Sequence, residues 1–190
     1  MEKDKIKKLL REGGETNQIS RIAIFDFDGT TMDTLTPEIG KPIYKEKTGE
    51  DWPFKGWWGR AESLNMDIFP FKPLPEIKSA FNKERASNNT LMVSLTGRRK
   101  KLSGEVEAIL HANGYKFDRY LYNYGADTLS NKIEQITNLL KEFPTVRTIA
   151  LWDDRKSHFD TFNEFGKSLV NGGRLDHFKL NEVFNEQWTK

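Results

Sequence analysis

Apolar positions along the chain fall into two alternating kinds of run. Four are short and nearly continuous: "RIAIFDFD" from Arg21, "TLMVSLTGR" at 90–98, "FDRYLYN" at 117–123 and "TIALWDD" at 148–154. Unbroken apolar runs of this length suit strands covered on both faces. Between them the spacing shifts to three and four. "SGEVEAILHANG" carries Val106, Ile109 and Leu110, with Gly114 as a C-terminal stop. "SNKIEQITNLLKEFP" carries Ile133, Ile136, Leu139, Leu140 and Phe143 before Pro144. "KSHFDTFNEFGKS" carries Phe159, Phe162 and Phe165 and is expected to end at Gly166. These are amphipathic helix patterns. Strands alternating with helices predict an α/β fold, a parallel sheet flanked by helices.

Three segments depart from this rhythm. Residues 4–12, with Ile6, Leu9 and Leu10 before Gly13-Gly14, read as a short helix, so 1–19 is expected to be a helical extension. The tail "LNEVFNEQW" also reads as helix-like. Residues 34–88 hold most of the prolines and the aromatic-rich "DWPFKGWWGR", with no clean alternation. A structureless loop of that length is improbable, so the segment is expected to be a small cap with its own packing, inserted between the first two core strands. The expected core is then 20–33 together with 89–190.

Composition narrows the function classes. Lys and Arg total 30 against 28 Asp and Glu, a net charge of +2, which does not argue for bulk nucleic-acid binding but leaves room for a local basic patch. Cysteine is absent, which removes disulfides, thiolate metal sites and a cysteine nucleophile. "MEKDKIKKLLREGG" is charged from its start, and no apolar run approaches the ~20 residues of a membrane helix. A cytoplasmic protein without a membrane partner is the expectation.

The candidate chemistry sits where the first strand stops. In extended chain Asp26 and Asp28 share one face, about 6–7 Å apart. At an effective dielectric near 20 they repel by roughly 2–3 kcal/mol. A bound cation, a nearby Lys or Arg, or a retained proton must relieve this, and carboxylate oxygens suit Mg²⁺. Gly29 permits a sharp turn and Thr30 a cap or a ligand bond. A solvated Asp-Gly turn is the bland alternative. It loses ground because ligands of parallel α/β sheets bind at the carboxyl ends of strands.

"DFDGT" after an apolar strand resembles the first motif of the haloacid dehalogenase-like (HAD) phosphatases. The resemblance implies a Rossmann-like HAD core, Asp26 as a nucleophile forming an aspartyl-phosphate, and Asp28 as general acid/base. Thr31 departs from the Leu or Val usual after the motif. In "SLTGRRKK", Thr96 matches the second motif, and Gly97 and Arg98 are expected beside the substrate phosphate. The basic run Arg98 to Lys101 leads toward a helix start that Ser103 is expected to cap, a place where cations suggest an external anion, with a solvated basic turn as the alternative. Lys132, at the start of the next helix, is the chosen third-motif lysine, with Lys100, Lys101 and Lys141 as competitors. "LWDDRKS" resembles the fourth motif and adds Asp153 and Asp154, so the expected Mg²⁺ ligands are Asp26, Asp28, Asp153 and Asp154.

"TGR" with "WDDR" is further similar to the phosphatase domains of polynucleotide kinase/3′-phosphatases and RNA-repair HAD proteins, and "KGWWGRAESL" to a segment of that group. The resemblance implies a phosphorylated RNA or DNA end as substrate. Trp57 and Trp58, beside Lys55 and Arg60, are then candidates for base stacking; packing inside the cap is the alternative. Two other functions stay open: a phosphatase of small metabolites, and a noncatalytic module binding phosphorylated ends or a protein partner. A receiver domain fits poorly, because its acidic pair and its acceptor come from different strands.

Overall fold

The computed structural model describes residues 18–185. The predicted extension at 4–12 therefore lies outside the described residues. Five strands, β1 (Arg21–Phe25), β2 (Thr90–Arg99), β3 (Arg119–Asn123), β4 (Thr148–Asp153) and β5 (His177–Glu182), form one sheet in the order β3-β2-β1-β4-β5. All four pairings are parallel. Five α-helices accompany them: α1 (Pro37–Thr48), α2 (Pro75–Arg85), α3 (Ser103–Ala112), α4 (Thr128–Glu142) and α5 (Lys156–Asn171).

Strand alternation builds two cores. Ala23 and Phe25 of β1 face a layer that includes Ile77 and Phe81 of α2 and Val106, Ile109 and Leu110 of α3. Ile22 and Ile24 face the other way, toward Ile136, Leu139 and Leu140 of α4 and Phe162 of α5. Both faces of β1 are thus sealed, which is why its sequence shows no polar alternation. No helix among the described residues is long and apolar enough to cross a membrane.

Three expectations change. The helix-like tail changes in its described part: its first residues, Leu180–Glu182, belong to β5, whose Phe178 and Leu180 alternate onto the α4–α5 core and which pairs with β4 along its whole length, while the part from residue 186 on lies outside the described residues. Gly166 does not end α5, which continues to Asn171. It sits mid-helix, where any Cβ would run into the Phe178 ring, so the glycine serves close helix–strand packing. Ser103 does not cap α3; it is the first helical residue, and a 3-10 turn at Lys100–Leu102 feeds the helix instead.

Segment 34–88 divides. Its two arms meet where Met32 pairs with Pro73 and the Asp33 N–H donates to Lys72 O at 2.8 Å. Beyond that neck, α1 packs on an aromatic group of Tyr44, Trp52, Phe54, Trp57 and Phe69. The last part, α2, instead lies on the sheet, with Phe81 edge-on to Phe25. It is the crossover helix that a parallel β1–β2 pair requires.

Candidate active site

β1 runs outward to β2 and β3 on one side, and the chain then returns to β4 on the other. The C-terminal ends of β1 and β4 are therefore a topological switch point, the crevice where such sheets hold ligands. Phe25 is paired with Trp152, their rings stacked at 4.2 Å, and the Asp26 N–H donates to Trp152 O at 3.0 Å. This register sets Asp26 beside Asp153. Carboxylate oxygens of Asp26, Asp153 and Asp154 lie within 4.8 Å of one another. The first two are buried and the third half-buried.

Lys132 reaches this group from the first turns of α4. Its Nζ lies 2.9 Å from Asp26 Oδ1 and 2.6 Å from Asp153 Oδ2, and only 2% of the residue is exposed. Asp127 caps α4 by accepting from the Ser130 N–H, which fixes the helix start that carries the lysine. Burial opposes the Lys132 charge, but Asp153 and Asp26 outweigh it and hold its pKa above the ordinary value. Burial, with repulsion from Asp153 and Asp28, pushes Asp26 up to about 7 against the pull of Lys132. Burial and repulsion from Asp26 and Asp153 push Asp154 up to about 8.

These shifts express an imbalance. With all three ionised, three carboxylates against one ammonium leave two net negative charges in a largely buried group, and a divalent cation is what would cancel them. All-oxygen donors suit Mg²⁺ among the common ions. Asp28, expected as a further acidic ligand, stands outside the group. Arg98 binds it at 2.8 Å through one terminal nitrogen and at 2.9 Å through Nε.

That pairing also changes the expected role of Arg98. Its remaining nitrogen donates to Trp58 O at 2.7 Å and Ser63 Oγ at 3.1 Å, so all three guanidinium nitrogens are engaged. The residue is 3% exposed and lies under the Trp58 ring. It anchors Asp28 and ties down the insertion rather than waiting for an anion. A bulge makes this possible: between the Leu95–Leu121 and Arg99–Asn123 pairs, Thr96, Gly97 and Arg98 oppose Tyr122 alone. Bulges re-aim side chains in this way. Buried Thr96 turns its Oγ1 to accept from the Arg98 N–H, and a Cβ on Gly97 would stand 2.9 Å from Thr128, so the glycine lets β2 meet the start of α4.

The tryptophans separate. Trp57 is 3% exposed, lies on Gly40 and donates from Nε1 to Leu35 O; it is core of the insertion and not a stacking platform. Trp58 is 37% exposed and lines the cleft. That cleft has a volume of about 720 Å³ and brings together Asp26, Asp28, Gly97, Arg98, Lys132 and Asp154. Lys100 instead lies over the Tyr122 ring, and Lys141 sits in the last turn of α4, away from the carboxylates.

Several neighbours escaped the sequence reading. Ser63 shares Arg98 with Asp28. Arg155, Lys156 and Phe184 line the cleft. His158 is buried in the first turn of α5, and burial pulls its pKa down to about 4. The signal for Arg155 and Lys156 was present in "WDDRKS", where cations follow the acidic pair at a helix start, as at Lys132.

Comparison with known proteins agrees with this architecture. The HAD domain of the effector protein Lem4 from Legionella pneumophila superimposes with a TM-score of 0.55 at 14% identity, covering 91% of either chain. An inactive mutant of that domain gives 0.55 at 13% identity, covering 90% and 89%. These likenesses show a HAD-like fold. The chain belongs to HAD domain family 1 of the Swiss Army Knife RNA repair proteins, whose profile matches residues 52–188. The match takes in Thr96, Lys132, Asp153 and Asp154 and begins downstream of Asp26 and Asp28. The uncharacterized protein YMR265C of Saccharomyces cerevisiae is 25% identical over 179 residues, covering 80% of this chain and 38% of the yeast protein. The chain thus spans about two fifths of that relative's length.

Proposed function

We propose that the protein is a Mg²⁺-dependent phosphomonoesterase that acts on nucleic-acid ends through an aspartyl-phosphate. The observation that carries the reading is the buried group at the switch point: Lys132 held between Asp26 and Asp153, with Asp154 beside them. A structural ion pair needs no third carboxylate, and a noncatalytic anion site would not surround its one buried lysine with acids. Membership of an RNA-repair HAD family supports the choice of substrate class.

In this reading Asp26 attacks phosphorus in line while the ester P–O bond opens on the far side. Lys132 offsets charge on the nucleophile and on the phosphoryl oxygens. The Thr96 hydroxyl and the nearby backbone N–H groups of the bulge bind a phosphoryl oxygen. Asp28, oriented by Arg98, hands its proton to the leaving oxygen and takes one from the water that then attacks the acyl phosphate. A divalent ion held by Asp26, Asp153 and Asp154 would supply charge neutralisation and a template for the phosphoryl oxygens.

The test is phosphate release from an oligonucleotide 3′-phosphate with Mg²⁺ and with chelator. Asp26→Asn is expected to abolish release while keeping the circular-dichroism spectrum, and chelation to stop the wild type reversibly. Normal turnover by Asp26→Asn removes the nucleophile assignment.

A further inference from the structure

Apart from the reacting groups, the cleft has two kinds of lining that the proposed chemistry leaves unused. Six large apolar residues are exposed among the described residues; only Trp58 and Phe184 line this cleft, and both are aromatic. Phe184 is 70% exposed and follows β5, whose end is held by the Val183 N–H donating to Asp153 O and by Asn185 bonded to Asp33 Oδ1. Trp58 comes from the insertion and is held through its carbonyl by Arg98. Two separate segments, each anchored to the catalytic strands, therefore bring a solvent-facing ring to one cleft.

The second lining is cationic. Arg155 and Lys156 are exposed, line the cleft, and have no acidic partner at salt-bridge distance among the described residues. Lys132, by contrast, is consumed by Asp26 and Asp153. The volume of about 720 Å³ lies in the upper part of the range for ligand pockets and exceeds what one phosphate needs.

We infer that the cleft binds more than the terminal phosphate of a nucleic-acid end: Trp58 and Phe184 take the terminal nucleobase, and Arg155 with Lys156 takes the next internucleotide phosphate. The inference rests on the phosphatase reading for the place of the terminal phosphate. Rings stack on any base, so the site discriminates by the presence of a base and a second phosphate and not by sequence. A mononucleotide fills the aromatic part alone, and an aliphatic phosphate fills neither.

The experiment has two arms. In the first, kcat/KM is measured for glycerol 2-phosphate, a 3′-mononucleotide and a trinucleotide 3′-phosphate. The values are expected to rise along that series. Phe184→Ala is expected to cost the trinucleotide on the order of tenfold more than it costs glycerol 2-phosphate. The Arg155→Glu/Lys156→Glu pair is expected to cost the trinucleotide at least tenfold more than the mononucleotide. In the second arm, a fluorescent trinucleotide 3′-phosphate is titrated into the Asp26→Asn protein by anisotropy. Each phosphate contact on a single strand contributes about 0.7 to the slope of log affinity against log salt, so the double variant, which loses one phosphate contact, is expected to flatten that slope by about 0.7. Arg155→Gln/Lys156→Gln repeats both arms without charge reversal. Equal losses across substrates, or an unchanged salt slope, overturn the inference. Absence of all phosphatase activity overturns the catalytic reading instead, and the anisotropy arm then decides the subsites alone.

Discussion

Replacing Lys132 by methionine removes the one buried cation of the carboxylate group while keeping the volume of the side chain. Its Nζ makes contacts of 2.9 Å with Asp26 and 2.6 Å with Asp153. At an effective dielectric near 20, each is worth about 6 kcal/mol. Burying an ammonium offsets several kcal/mol of that sum, and breaking a buried pair from one side typically leaves a net loss of about 3–5 kcal/mol. For a domain of this size the loss corresponds to roughly 6–20 °C in Tm. The sign with pH is the stronger part of the prediction. Asp26 and Asp154 have folded-state pKa values raised to about 7 and about 8, above their unfolded values. Such groups hold more protons folded than unfolded, so they erode stability as pH rises from the unfolded value through the folded one. Losing Lys132 raises them further. The variant's deficit is therefore expected to be smaller at about pH 5, where Asp26 and Asp154 keep their protons and need the lysine less, than at about pH 9. Urea unfolding of wild type and Lys132→Met in chelator at both pH values measures it. An equal deficit at both would mean that the lysine matters through packing, and the charge argument would be wrong.

Two further outcomes follow from the same geometry. Metal binding must displace the protons that Asp26 and Asp154 retain, so the rise in Tm produced by Mg²⁺ is expected to grow between about pH 6 and about pH 9; a rise independent of pH in differential scanning fluorimetry would contradict the site. Gly166→Ala places a methyl against the Phe178 ring and is expected to cost about 1–3 kcal/mol, seen as a fall of roughly 2–12 °C in Tm; an unchanged Tm would show that β5 can shift.

The core was legible because its elements are buried on both faces. β2 was expected at 90–98 and runs Thr90–Arg99; β4 was expected at 148–154 and runs Thr148–Asp153. β5 was missed because it is an edge strand whose pattern rests on Phe178 and Leu180 alone, too short a signal to stand out at the start of a helix-like run. Trp57 and Trp58 are adjacent, and no local pattern says which of two neighbouring rings turns inward; Gly40 and Leu35 decide it from 17 and 22 positions away. Arg98 was read as a substrate cation because its partner Asp28 is 70 positions distant in sequence. The carboxylates and Lys132 were more readable, since each stands at a strand end or helix start, the places where a parallel sheet exposes side chains to its crevice.

Arg98 also bears on how the insertion relates to the chemistry. A cap that merely closed over a site would touch the core through mobile surfaces. Here the insertion contributes Trp58 O and Ser63 Oγ to the same guanidinium that grips Asp28, and this guanidinium is 3% exposed. A buried arginine must have its donors satisfied, and losing any partner leaves an uncompensated charge. The segment around Trp58 thus cannot lift away without freeing Asp28 from its orientation. The orientation of the Asp28 carboxylate and the position of the ring that lines the cleft are set by one side chain. Any ligand that moves Trp58 will therefore act on Asp28 as well, so the outer cleft and the orientation of Asp28 are coupled through Arg98.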